Sequence, residues 1–74
     1  MIANERNAMS EQDHLTVARI EALAHVTAAL PEQDQKFIVH MIARLQRGQI
    51  TGFTLLQIER VAQLHTEFVG VTAP

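Results

Sequence analysis

The sequence predicts a small all-α protein, a three-helix unit whose consecutive helices are antiparallel neighbours. Three observations predict it. Ala, Leu, Ile, Gln, Glu and Arg dominate the composition, which favours helix. Apolar residues recur at three- and four-residue spacing in three separate stretches. Ser10, Pro31 and Thr54 stand where helices are expected to begin. The helices are expected at about 11–29, 32–47 and 54–69 in a single domain, 10–70, between a mobile polar tail at 1–9 and a short tail at 71–74. Met9 offers an alternative start to Met1.

The first helix opens at Ser10, whose hydroxyl suits an orphan backbone amide, with Asp13 in the first turn near the positive end of the dipole. At 100° per residue, Leu15, Ala18, Ala22, Val26, Ala29 and Leu30 fall on one face. Val17, Ile20, Ala24 and Ala28 fall nearly opposite. A surface helix of a monomer normally shows one apolar stripe. Two stripes imply that both sides are covered, so Val17, Ile20, Ala24 and Ala28 are the expected self-association face of a homodimeric bundle.

Pro31 ends this helix and suits the first turn of the next, where its missing N–H has no cost. Glu32 and Asp34 then complement the positive end of the dipole, and Arg44 and Arg47 the negative end. Phe37, Ile38, Met41, Ile42 and Leu45 form the inward stripe, and Gly48 lies where a left-handed C-terminal cap belongs. The third helix begins with a capping-box spacing, Thr54 and Gln57, and a staple spacing, Phe53 and Ile58; Thr51 is a competing start. Leu55, Ile58, Val61, Ala62, His65, Phe68 and Val69 are its expected buried face, opposite Glu59, Gln63, Thr66 and Glu67. Short connections at Leu30–Pro31 and Gly48–Phe53 favour the antiparallel arrangement.

Size and composition narrow the function. A chain of 74 residues buries a small fraction of its surface and usually needs a staple, yet it has no cysteine. Oligomerisation is the expected support. A net charge of −2 gives no support to a strongly basic nucleic-acid binder. No run of about 18 apolar residues indicates a membrane span, and the first residues lack the apolar core of a signal peptide, so a cytoplasmic protein is expected.

The Arg44–Arg60 stretch, helix–glycine turn–helix, invites comparison with a DNA-reading helix-turn-helix. Its second helix would present Glu59, Arg60 and Glu67, a net negative face, to a polyanion, and its turn exceeds the usual three or four residues. The middle helix carries a better basic strip, Lys36, His40, Arg44 and Arg47, at helical spacing. It is a candidate contact for an acidic partner or a nucleic-acid backbone; a solvated face complementing the dipole is the plainer reading. His14 and His25 share a face but stand roughly 16 Å apart along the axis, too far to share one metal ion. His65 falls inside an apolar face and is expected as a half-buried packing residue with one ring nitrogen hydrogen-bonded, a pH-sensitive interface being the minor alternative. The sequence has no nucleophile elbow, P-loop or dinucleotide fingerprint, so no catalytic, cofactor-binding or metal residues are expected and the protein is read as a non-enzyme.

From Phe37 onward, "FIVHMIARLQRGQITGFTLLQIERVAQL" resembles a short helical module of small phage and mobile-element proteins. Phe37-Ile38, Arg44-Leu45, Gly48, Thr54 with Gln57, and the series Ile58, Val61 and Leu64 carry the resemblance. It implies an accessory or regulatory role exercised through protein contact. The expected function is therefore a protein–protein interaction module, a regulator, adaptor or inhibitor, partnered with itself and with a second protein. The alternative is a nucleic-acid-binding accessory protein using the basic strip. Val39 and Leu56 lie off their helices' main stripes and are placed to extend either contact.

Overall fold

The computed structural model describes residues 10–70, so the expected tails at 1–9 and 71–74 lie outside the described residues. Three helices pack against one another: α1, Glu11–Ala24; α2, Glu32–Gln46; and α3, Leu55–Leu64. No strand is present among the described residues. A 3-10 turn, Thr27–Ala29, leads from α1 towards α2, and a π-type turn, His65–Val69, continues α3.

Local chemistry fixes each boundary. The Asp13 amide donates to Ser10 Oγ at 3.0 Å and the Ser10 amide to Asp13 Oδ2 at 3.3 Å, a reciprocal capping box. At the start of α3 the Gln57 amide donates to Thr54 Oγ1 at 3.1 Å and the Thr54 amide to Gln57 Oε1 at 2.9 Å. Thr54, not Thr51, is thus the cap. The end of α2 is a Schellman turn: the Gly48 amide bonds Leu45 O and the Gln49 amide bonds Arg44 O, each at 2.9 Å. Gly48 adopts φ 82°, the left-handed conformation that this turn requires.

The first helix is shorter than expected. It stops at Ala24, and Thr27 Oγ1 donates to both Leu23 O and Ala24 O at 3.1 Å, beside the Val26 amide that also donates to Leu23 O at 3.0 Å. Gln35 Nε2 donates to Leu30 O at 3.0 Å, tying the corner down onto α2. Past Ala24 the 100° register no longer applies, so a stripe drawn through to Ala28 does not describe a surface.

The core contains Ile20, Leu23, Leu30, Ile38, Met41, Phe53, Val61 and Leu64, with Val17, Val26, Phe37, Ile42, Leu45, Ile58 and Phe68 packed around it. Close backbone approach belongs to α1, which lies against α2, α3 and the π-type turn; α2 and α3 meet chiefly through long side chains. Arg44, late in α2, reaches Gln57, early in α3, and Arg60, later in α3, reaches back to Asp34, early in α2. This reversed order makes α2 and α3 antiparallel.

Two expected burial patterns need correction. Ile20 is 0% exposed and Val17 packs on the same core, whereas Ala24 and Ala28 are exposed. The four therefore form no common face, and Ile20 is not available to a second copy. The reason is the central position of α1: two helices of its own chain cover a wide arc, leaving Leu15 (46% exposed) and Ala18 outside. On α3 the inward side centres on Val61 and Leu64, so Leu55 stands 69% exposed and Val69 also faces outward.

Thr16 is wholly buried, and its hydroxyl has no hydrogen-bond partner among the described residues. An unpaired buried hydroxyl costs more than a methyl group of the same shape, so Thr16→Val is expected to raise stability by about 1 kcal/mol. A lower urea midpoint for the variant would count against this. Ile20→Glu buries a charge with no partner and is expected to remove cooperative helical melting. Leu15→Glu, on the open side, should change stability by no more than about 0.5 kcal/mol. Circular dichroism melts of the two variants test the assignment of inside and outside; a folded Ile20→Glu would reverse it.

Candidate interaction surface

The four residues of the expected basic strip do not act alike. Lys36, His40 and Arg47 are exposed, and Arg44 is half-buried and engaged within its own chain. Arg44 Nη2 donates to Thr51 O at 2.7 Å, and Nη1 donates to Gln57 Oε1 at 3.3 Å. Its guanidinium carbon lies 4.4 Å from the centroid of the Phe53 ring, in cation–π range. Gln57 Oε1 also closes the α3 capping box, so one acceptor joins the end of α2, the turn and the start of α3. Arg44 is a clamp on the turn rather than an exposed cation for a partner. The sequence placed it on the strip correctly; what it lacked was the fold-back of the turn that brings Thr51, Phe53 and Gln57 beneath it.

A second arginine fastens the other end. Arg60 Nη2 donates to Asp34 Oδ1 at 2.6 Å, and its guanidinium carbon lies 4.6 Å from the Phe37 ring centroid. Asp34 is the more buried partner, with Arg60 closer to solvent. The supposed recognition helix therefore presents an arginine already paired, beside the carboxylates of Glu59 and Glu67, which have no ion-pair partner among the described residues.

Beside this ion pair an open groove of about 310 Å³ is lined by Asp34, Leu56, Glu59, Arg60, Gln63 and Glu67, with Leu64 at its floor. Three carboxylates against one guanidinium give it an acidic balance. Leu56 stands 70% exposed at one end, next to Leu55. The pair was partly legible in sequence, because adjacent helical residues point about 100° apart and both cannot face the core. Val39, 56% exposed, lies elsewhere on α2: the helix repeat puts it well away from Phe37 and Arg44, which face α3.

His65 is half-buried, as expected, but no hydrogen bond to its ring is present among the described residues. Among the described residues no cluster of three or more His, Asp or Glu is arranged to hold a metal ion, and no helix is long and apolar enough to cross a membrane. Comparison of the chain with family models, with curated proteins and with solved structures gave no match.

The clamp makes a specific demand on Arg44. Lysine has neither the planar fork that reaches two acceptors nor the flat face that stacks on a ring. Arg44→Lys is expected to cost about 1–3 kcal/mol in thermal or urea unfolding. It should also speed hydrogen exchange of the amides between Gly48 and Thr54. Wild-type stability and wild-type exchange in the variant would remove the clamp.

Proposed function

We propose that the protein is a non-enzymatic protein–protein interaction module, a small regulator, adaptor or inhibitor of phage or plasmid origin that acts in the cytosol. What supports the reading is the Leu55–Leu56 pair. Two large apolar side chains stand at least two-thirds exposed on the first turn of a helix whose start is fixed by a capping box and by the Arg44 clamp. Apolar side chains held on rigid backbone lose little conformational entropy when covered, which favours their use as interface anchors. The resemblance of the Phe37–Leu64 stretch to phage and mobile-element modules supports the regulatory part of the reading and its origin.

The nucleic-acid alternative has less to stand on. With Arg44 drawn into the turn, Lys36 and Arg47 are the permanent cations of the strip, and about two phosphate contacts give only weak, salt-sensitive binding.

Capture from a host extract with wild type, Leu55→Ser and Leu56→Ser side by side tests the proposal. A protein retained by wild type and lost with Leu55→Ser is the expected result. Retention that ignores both substitutions would move the contact elsewhere. Binding of plain duplex or single strands at low salt, lost steeply as salt rises, would favour the nucleic-acid reading.

A further inference from the structure

The outer side of α1 lies opposite its buried residues Thr16, Ile20 and Leu23, and so faces away from α2 and α3. Glu11, His14, Leu15, Ala18 and Glu21 are exposed there, with His25 at the C-terminal cap. An open concavity of about 570 Å³ lies along the first half of this face, lined by Glu11, Gln12, His14, Leu15 and Ala18. None of the side chains of Glu11, His14, Glu21 and His25 takes part in an ion pair or a hydrogen bond among the described residues. Along the helix their order is acid and imidazole, then Ala18, then acid and imidazole. Read backwards, that order is its own complement.

We propose that a second copy of this chain docks on this face, the two α1 helices lying antiparallel about a two-fold axis at Ala18. Such an axis stands perpendicular to the plane of the two helices. It exchanges the ends of the face and keeps each flank on its own side. Glu11 and His25 lie about 10 Å before and beyond Ala18 and about 20° to either side of it, near the middle of the contact. The rotation brings each Glu11 to the His25 of the other copy. His14 and Glu21 share one flank, about 40° and 60° round from Ala18 and about 5 Å before and beyond it, so each meets the other across the axis. Leu15 and Ala22 share the opposite flank at about 60° and 40° and meet in the same way. Ala18 meets itself, and its small side chain allows an interaxial distance of about 8 Å.

An imidazole has at least one N–H donor in either protonation state, so both kinds of acid–imidazole pair can close. A surface that meets itself through a two-fold must carry both halves of each pair, and this face does so at its centre and on both flanks. The contact uses the outward stripe of α1, since Val17 and Ile20 belong to the core of their own chain. It is independent of the Leu55–Leu56 reading: those residues stand on α3, outside this face, and a dimer would display two sets of them. One helix pair about 21 Å long is smaller than most specific interfaces, so a dissociation constant of about 100 µM is expected. At the micromolar concentrations of a melting curve the chain is then monomeric.

Sedimentation equilibrium of the full chain, from about 10 µM to about 1 mM, tests the proposal, because that range brackets the expected constant. A monomer that passes into a dimer is the expected result. Ala18→Glu sets two carboxylates against each other at the axis and should weaken association at least tenfold. His14→Glu should weaken it several-fold by facing Glu21, and His14→Glu with Glu21→His should restore it by exchanging the two halves of the pair. Leu55→Ser and Leu56→Ser should leave the dimer unchanged. Helical circular dichroism of each variant keeps unfolding separate from dissociation. A monomer at every concentration overturns the proposal, as does a dimer indifferent to Ala18→Glu. Nuclear Overhauser contacts from the Ala18 methyl to residues 1–9 of its own chain would give the face to that segment and overturn it too. Loss of partner capture with the dimer intact would count against the proposed function and leave this inference standing.

Discussion

The guanidinium of Arg44 is where the three-helix arrangement is held in register. It stacks on Phe53, donates to Thr51 O and to Gln57 Oε1, and its own backbone carbonyl receives the Gln49 amide that closes the Schellman turn. End of helix, turn and start of helix thus converge on a single residue. If the turn moved, Phe53 would leave the core, the α3 cap would lose its shared acceptor and a half-buried cation would face no partner. That penalty, more than the worth of any one bond, makes the turn a single structure rather than a flexible link.

A division of labour follows between the helices. α1 packs its backbone close to both others and supplies Ile20 and Leu23 to the centre of the core. α2 and α3 stand further apart and are bridged by the two arginines, each lying over a phenylalanine contributed from across the gap or from the turn. Aromatic rings are scarce, three in the whole chain, and two of them serve as arginine platforms. Long, flat, amphipathic side chains span a gap that aliphatic ones would leave open, and they keep polar tips at the rim. The outer face of that gap therefore carries charge next to exposed Leu56.

Much of this was legible in the residues themselves. Ser10 with Asp13, Gly48, and Thr54 with Gln57 set boundaries through chemistry confined to a few adjacent positions, and these three act in the structure as the sequence implied; Pro31 differs, since α1 already ends at Ala24 and Pro31 is the N-cap of α2 rather than part of its first turn. The early end of α1 was not legible, because the Thr27 hydroxyl competes for the terminal carbonyls only in one side-chain geometry. The candidate sites were half legible. Lys36, His40 and Arg47 are exposed as their spacing implied, while Arg44 shares their stripe and serves an internal purpose.

The sequence by itself determined the helical class, the caps and the positions of the turns, since these depend on interactions three to five residues apart. Only the tertiary structure decided which side of α1 is inside, that Leu55 is outside, and that Arg44 and Arg60 are partnered. Those outcomes depend on contacts between residues such as Asp34 and Arg60, 26 positions apart, whose meeting is set by how three helices pack. Periodicity gives each helix a set of faces; it does not say which neighbour covers them.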